Sequence, residues 1–304
     1  MPELPQRIVC LTEETTETLY LLGEGARVVG VSGYTVRPIE ARQKPRVSAF
    51  TTAKFDAIVA LHPDLVLTFS DLQADITAEL VRRGLQVFNF NQRSVEEILA
   101  MIATVARLVA ADGRGAALIA ELRATLAAIA ASAAGFRFRP RVLFEEWKDP
   151  LITGIRWVEE LIAVAGGEPL FPELGQEQAA RQRIVDPASV VARDPQVIIA
   201  SWCGQKVNKS AIRARAGWAA IAAVRTGQIF EIKSTYILQP GPAALTEGVR
   251  QLHAILAQVA GATVAPQLAP EERVDPDLTR AQQALWASPS GTRAAAAPGP
   301  APMK

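Results

Sequence analysis

The segment FDAIVALHPDLVLTFS at residues 55–70 decides the fold, because its pattern returns as PASVVARDPQVIIASW at residues 187–202. In each copy a short amphipathic helix stops at a proline, Pro63 or Pro195, which lacks the amide that a helix needs. The apolar run that follows is typical of a parallel strand buried on both faces. Two copies so far apart predict two similar α/β lobes within one chain.

Alternating strand and helix signals fill the rest of the sequence. Strands are predicted at RIVCL, RVVGVS, RVSAF, LQVFNF, RVLFEEW and QIFEIKS. Residues 113–136 are rich in alanine and other strong helix formers, which predicts one long helix crossing between the lobes. We therefore expect an α/β fold of two Rossmann-like lobes with mostly parallel sheets, over 1–112 and 137–263. The Ala- and Pro-rich residues 264–304 predict a disordered tail.

Composition narrows the function classes. The 304 residues carry 32 basic and 31 acidic side chains, a net charge of +1, which gives no indication of nucleic-acid binding. No apolar run reaches the roughly 18 residues of a membrane helix, and the first residues lack a secretion signal. We therefore expect no membrane insertion and a cytoplasmic location; a periplasmic or cell-surface location would need a start upstream of Met1. Cys10 and Cys203, the only cysteines, are interpreted as free thiols.

A ligand cleft is predicted between the lobes, because open α/β sheets bind ligands beyond the carboxyl ends of their strands. The candidate contacts are the residues that directly follow the predicted strands. They are Thr12, Glu13, Tyr34, Phe50, Ser70 and Asp71 in the first lobe, and Glu145, Trp147, Trp202, Cys203 and Tyr236 in the second. Aromatic side chains at such a cleft favour a large, flat, partly apolar ligand. The alternative is that the tryptophans pack between lobe and linker.

The segment DPLITGIRWVEEL at residues 149–161 adds Arg156 and Trp157 to the candidate contacts. Gly154 precedes the arginine and a helix start, an arrangement that can bring backbone amides and Arg156 towards an anion. An ordinary helix start is the competing interpretation.

Signals for metal or catalytic sites are weak. The chain has two histidines, His62 and His253, and neither follows a predicted strand, which argues against a histidine metal site and a Ser-His-Asp triad. No glycine-rich phosphate loop is present. Cys203, beside Trp202, is either a thiol ligand or nucleophile, or a buried inert thiol.

The order of these motifs resembles a known family. RIVCLTEETTETLYLLG, RVVGVSGYTVRP, RVSAF and FDAIVALHPDLVLTFS, then the long helix, AGG at 165–167 and VVARDPQVIIAS, are similar to the iron-siderophore and cobalamin substrate-binding proteins of ABC importers. The resemblance spans about residues 7–260. SGYTVRP and VSAF are most similar to the cobalamin binders, in which an aromatic and a tyrosine at the positions of Phe50 and Tyr34 face the corrin.

This resemblance implies a monomeric, non-catalytic binding protein without an intrinsic cofactor. Its ligand would be a cobalamin-like corrinoid or a ferric chelate held between the lobes. Family members dock onto a permease through one acid on each lobe: Asp56 matches the first acid, whereas Ala188 occupies the second position, with Asp186 nearby. The cobalamin binders also carry an aromatic just before the second repeat, where this chain has RQR at 181–183.

Other hypotheses remain open from the sequence. A cytoplasmic enzyme or cofactor-handling protein on the same scaffold would use Glu145 and Glu146, near Cys203, as its centre. A siderophore or haem binder would use the same cleft for another chelate. A partner-binding module would keep the fold without any ligand.

Overall fold

The computed structural model describes residues 4–271 and has two α/β lobes joined by one long helix. The strands within these residues are β1 (Ile8–Cys10), β2 (Val28–Ser32), β3 (Arg46–Ala49), β4 (Thr52–Ala53), β5 (Leu65–Phe69), β6 (Val87–Phe90), β7 (Arg141–Lys148), β8 (Leu151–Thr153), β9 (Glu168–Pro169), β10 (Val197–Ala200) and β11 (Ile229–Glu231). The α-helices are α1 (Glu13–Leu21), α2 (Phe55–Ala60), α3 (Ala74–Arg82), α4 (Val95–Leu108), α5 (Asp112–Ala133), α6 (Arg156–Val164), α7 (Pro187–Arg193), α8 (Lys209–Arg213), α9 (Ala222–Arg225), α10 (Ser234–Ile237) and α11 (Val249–Ala260).

The first lobe contains a six-stranded sheet in the order β4-β3-β2-β1-β5-β6, parallel except where β4 pairs with β3. Successive side chains of the central strand β1 enter different cores. Ile8 and Cys10 pack with α1 and α4, whereas Val9 packs with α2 and α3 on the other face. Helices therefore cover both faces, which explains why the strand sequences are almost continuously apolar.

The second lobe repeats this architecture with the strand order β11-β10-β7-β8, and β9 pairs with the free part of β7. β10 is parallel to both β7 and β11, and only the β7–β8 pair in this sheet is antiparallel among the described residues. Ile198 faces one core and Val197 the other, as in β1. The predicted class of two mostly parallel α/β lobes is confirmed.

The long helix predicted at 113–136 is α5, which ends three residues earlier, at Ala133. It packs against α4 of the first lobe and against α6 and α11 of the second, and one hydrophobic core contains residues of both lobes. Within residues 4–271, α5 alone is long and apolar enough to cross a membrane by length and composition. Its packing here is that of a connector between lobes.

The sequence repeat corresponds to a structural repeat. α2 leads into β5 and α7 leads into β10, as the two prolines predicted. The residue before each proline adopts a left-handed backbone, with φ of 46° at His62 and 45° at Asp194. The two copies of the repeat therefore also share the backbone conformation of the residue before the proline.

The predicted disordered tail starts too early. Residues Pro266–Leu268 form a 3₁₀ turn and Leu268 is buried in the shared core. The amide of Glu271 then donates to Glu247 Oε2 at 2.9 Å. Burial of the Leu268 side chain in the shared core orders the start of this Ala- and Pro-rich stretch. The rest of the predicted tail, 272–304, lies outside the described residues.

Candidate ligand-binding cleft

The two sheets point the carboxyl ends of their parallel strands at each other. Gln92, which follows β6, donates from Nε2 to the carbonyl of Pro240 in the second lobe at 3.0 Å. Arg37, which follows β2, lies with its guanidinium 5.4 Å from the ring centre of Tyr236. These contacts bring the predicted ligand-binding edges of both lobes together.

Glu13, Tyr34 and Cys203 follow β1, β2 and β10, at the strand ends that face this cleft. Desolvation, with the charges of Cys203 and Glu13, raises the pKa of half-buried Tyr34 to about 12. Cys203 is open to solvent, yet the surrounding walls and the carboxylates of Glu13 and Glu146 raise its thiol pKa to about 11. Tyr34 and Glu13 belong to the first lobe and Cys203 to the second, so both lobes contribute strand-end residues to the cleft.

The first turn of α1 carries buried carboxyl groups where the lobes meet. Burial, with the neighbouring charge of Glu14, raises the pKa of Glu13 to about 8, and its Oε1 has no hydrogen-bond partner. Burial also raises the pKa of Glu14 to about 7, although the Thr12 hydroxyl donates to Glu14 Oε1 at 2.6 Å. Thr12 is therefore buried at the helix start rather than open to a ligand.

Glu17 completes this carboxyl row and connects the lobes directly. It pairs with Arg37 at 3.0 Å and accepts the amide of Ala243, from the second lobe, at 3.2 Å. Burial raises its pKa, and the charge of Arg37 opposes that change. Polar contacts of Glu17 therefore connect the two lobes on the side of the cleft where Arg37 and Tyr236 lie.

Glu145 and Trp202, both predicted ligand contacts, form an internal network instead. The carboxylate of Glu145 is fully buried and meets Arg215 through two hydrogen bonds of 2.6 and 2.8 Å. The indole of Trp202 donates to Glu145 Oε1 at 2.9 Å and is 3% exposed. The Glu145 carboxylate and the Trp202 indole are therefore occupied by each other and by Arg215, because a buried carboxylate needs a cation and hydrogen-bond donors around it.

The other two candidate tryptophans differ in exposure. Trp157 is buried in the shared core and donates to the carbonyl of Ile237 at 2.9 Å. Trp147 remains half-buried, with its indole donating to the carbonyl of Asp149 at 3.0 Å. Arg156 pairs with Glu160 one helical turn along, at 2.8 Å, which agrees with an ordinary helix start. Of the two tryptophans, Trp147 is the one that remains partly exposed, packed against the core of its own lobe.

The candidates after β3 and β5 also separate into open and closed groups. Ser70 is buried and accepts the amide of Leu72 at 3.2 Å, with a left-handed φ of 64°. Asp71 is exposed and pairs with Arg93 at 3.0 Å. Phe50 is half-buried against the shared core. Asp71 and Phe50 therefore keep surface at the cleft edge.

Arg93 and Arg183 are further candidate residues that the sequence analysis did not select. Arg183 is buried, donates to Glu146 at 2.5 Å and to the Thr153 carbonyl at 2.6 Å, and its Nε has no partner. Arg93, from the first lobe, also has a buried Nε without a partner and interacts electrostatically with Arg183. Arg93 lies just after β6, so the rule applied to the other strands would have found it.

The two acids predicted to dock a permease lie near the starts of the equivalent helices α2 and α7, although Ala188, not Asp186, occupies the position that matches Asp56. Asp56 lies in the first turn of α2, where its exposed carboxylate pairs with Arg83 at 2.7 Å. Asp186 is the N-cap of α7 and accepts the amide of Ala188 at 3.0 Å. Both acids are on the surface, each with a local partner.

Cysteine and metal-ligand chemistry is limited. Both cysteines are free thiols, but only Cys10 of the two is buried, so the inert interpretation fits Cys10 and not Cys203. Among residues 4–271 no cluster of three or more histidine, cysteine or acidic side chains could hold a metal ion.

Comparisons with known proteins agree with this geometry. A family model described as periplasmic binding protein matches residues 8–236. A cobalamin-binding protein of Halobacterium salinarum is 26% identical over 257 residues, covering 82% of this chain and 69% of that protein. The periplasmic vitamin B12 binding protein BtuF of Vibrio cholerae superposes with a TM-score of 0.68 at 24% identity, covering 86% of this chain and all of that one (100%). The periplasmic heme-binding protein RhuT from Roseiflexus sp. RS-1 gives 0.72 at 24% identity, covering 84% and 99%.

The cytoplasmic location predicted from the sequence is wrong. The matching family and both structural relatives are periplasmic by description. The prediction used the first residues and the lack of a long apolar run, and neither feature carries information about the two lobes that the relatives share.

Proposed function

Because this chain belongs to the periplasmic binding protein family, we propose that it binds a cobalamin-like corrinoid or another metal chelate between its two lobes. The observation that carries the proposal is that strand ends of both lobes, followed by Glu13, Tyr34 and Cys203, face one cleft that interlobe contacts bring together. Relatives named for cobalamin, vitamin B12 and heme support a metal chelate as the ligand class.

The proposed role is binding without covalent turnover. An enzyme centred on Glu145 and Glu146 would need a carboxylate free to exchange protons. Glu145 forms an ion pair with Arg215, and Glu146 forms one with Arg183. Tyr34, Phe50 and Trp147 instead supply partly open aromatic surface, which suits a flat ligand.

Isothermal titration calorimetry tests this function. We expect cobalamin, cobinamide, haem or a ferric siderophore to bind with a Kd below roughly 100 μM. Tyr34→Ala should weaken binding by roughly tenfold, because it removes an aromatic contact in the cleft. Phe138→Ala is the matched control, since Phe138 is an exposed aromatic before β7, at the opposite end of that strand. Absence of binding to all four ligand classes would reject the proposal.

A partnership with an ABC permease follows as the second part of the proposal. Asp56 and Asp186 stand at the starts of the equivalent helices α2 and α7, one on each lobe. An acid on each lobe supports docking to two basic sites of a permease. The Asp56–Arg83 pair must open for this contact, and an exposed pair of this kind is weak enough to do so.

A further inference from the structure

A segment of the second lobe, residues 239–243, lies directly against the first turns of α1 in the first lobe. Gly241 packs on Glu14 so closely that a Cβ added to this glycine would lie 3.0 Å from the Cα of Glu14. One turn further along α1, Glu17 Oε2 accepts the amide of Ala243 at 3.2 Å. A steric contact and a hydrogen bond therefore attach these residues, called the latch segment below, to the first lobe.

The carboxyl groups beneath the latch segment outnumber the cations beside them. Glu13, Glu14 and Glu17 are each at most 8% exposed. Among residues 4–271, the ion pair of this row joins Glu17 to Arg37 at 3.0 Å. Glu14 accepts the Thr12 hydroxyl at Oε1, but its Oε2 has no hydrogen-bond partner. Three buried carboxyl groups beside one guanidinium cannot all be ionised, because an unpaired buried charge is costly.

Arg37 is the cation available to this row among the described charged and titratable groups around α1. These groups are Cys10 of β1; Tyr34, Arg37 and Glu40 after β2; Glu24, Arg27 and Arg114 at the end of α1; Glu96, Glu97 and Arg107 on α4; and Tyr236 and Cys203 of the second lobe. Arg27 and Arg114 both pair with Glu24, and the charged residues of α4 are exposed. The latch segment itself carries no charged side chain. An ionised Glu14 would therefore lack a cation of its own.

Burial keeps protons on this row up to neutral pH. It raises the pKa of Glu14 to about 7 and that of Glu13 to about 8. Once the latch segment moves away from α1, Glu14 meets water and its pKa returns towards the ordinary 4.5. The closed contact thus holds its proton more tightly than the open one, so a rise in pH from about 4.5 to about 7 favours opening.

We propose that the contact between α1 and the latch segment is a proton-dependent latch, which holds the lobes together while Glu14 is protonated and loosens when Glu14 ionises. While Gly241 covers it, the ionised carboxylate has neither a cation nor water beside it. Movement of the latch segment lets water reach the charge. The core around α5 still joins the lobes, so the opening is local to this side of the cleft. The latch needs no ligand, and its test is therefore independent of the proposed function.

Hydrogen exchange of the ligand-free protein, followed by mass spectrometry, measures this opening. After correction for the intrinsic pH dependence of exchange, the protection of residues 239–248 in the wild type should fall roughly tenfold or more between about pH 5.5 and about pH 8. Glu14→Gln cannot ionise, so its protection should change by no more than about threefold over the same range. Glu121→Gln, which alters an exposed carboxylate on α5, should keep the wild-type profile.

Gly241→Ala tests the contact without changing a titratable group. The added methyl group forces Glu14 and the latch segment apart, so protection of residues 239–248 should fall several-fold already at about pH 5.5. Gly113→Ala is the matched control, because a Cβ at Gly113 would meet no atom within 4 Å. That variant should keep wild-type protection over residues 239–248.

Three results would overturn the latch. Wild-type protection that does not depend on pH after the correction rejects it, and this result requires no variant to fold. A Glu14→Gln profile equal to that of the wild type assigns the proton to another group. Wild-type protection in Gly241→Ala shows that the latch segment does not press on Glu14.

Discussion

Buried carboxyl groups of this protein differ in whether a neighbouring group already compensates their charge. Glu145 has Arg215 and the Trp202 indole around it. Glu13 and Glu159 are equally deep, but each has at least one carboxyl oxygen without a partner. Groups of the second kind are held in their protonated form by burial and respond to pH.

Sequence position alone could not distinguish these two kinds of residue. The strand-end rule selected Glu13, Tyr34 and Cys203, which follow β1, β2 and β10 of the two sheets. It also selected Trp202, whose side chain turns into the core of its own lobe because Arg215, 13 positions later in the chain, brings a cation to Glu145. Such long-range pairing leaves no local trace in sequence. Which of these residues touch a ligand remains a prediction.

Glu159 gives a test of the buried carboxyl groups. Burial raises its pKa from 4.5 to about 8. The folded state therefore holds this proton more tightly than the unfolded state, and the free energy of unfolding should fall as pH rises from about 4.5 to about 8. Glu159→Gln cannot ionise, so it should be more stable than wild type at alkaline pH by a few kcal/mol, at about 1.4 kcal/mol per pKa unit.

Urea unfolding at mildly acidic and alkaline pH measures this difference. The advantage of Glu159→Gln should vanish below the ordinary carboxyl pKa of 4.5, where the carboxyl group is protonated in both the folded and the unfolded wild type. Glu121→Gln is the control, because Glu121 is an exposed carboxylate on α5. Parallel pH profiles for wild type and Glu159→Gln would show that this group does not titrate in the range given.

Among the elements, long periodic ones were predictable and short ones were not. The repeat at 55–70 and 187–202 gave α2–β5 and α7–β10, and the alanine-rich segment gave α5. β4 and β9 have two residues each, too few for any hydrophobic period to develop. They form because a neighbouring strand offers unpaired backbone groups, which is a tertiary property.

The first copy of the repeat contains a strained backbone position, His62, whose replacement should change the free energy of unfolding. His62 is exposed and has a φ of 46°, a conformation that costs a non-glycine residue about 1–2 kcal/mol. His62→Gly should raise the free energy of unfolding by roughly 0.5–1 kcal/mol, after the greater chain entropy of glycine is subtracted. Val59→Gly, at an exposed helical position in α2, should instead lower it by about 1 kcal/mol. Urea denaturation gives both values, and destabilisation by both changes would contradict a strained turn.

The whole molecule is two lobes that share one core through α5 and face each other at their strand ends. Sequence periodicity predicted both lobes and the helix that connects them, because each of these elements contains many residues that follow the same pattern. Location was predicted wrongly, since it was read from the first residues and the lack of a long apolar run. The contacts of Arg37 with Tyr236 and of Gln92 with Pro240 could not be foreseen, as they depend on how the lobes pack.

The most direct measurement is chemical cross-linking between the lobes. In a Cys10→Ser background, Tyr34→Cys leaves two thiols, at positions 34 and 203, on opposite walls of the cleft. A short bismaleimide should join them within one chain, as seen by mass spectrometry of peptides, and saturating dicyanocobinamide should prevent the bridge. Singly modified thiols without a bridge, or a bridge that forms equally well with bound ligand, would contradict a chelate-binding cleft between these residues.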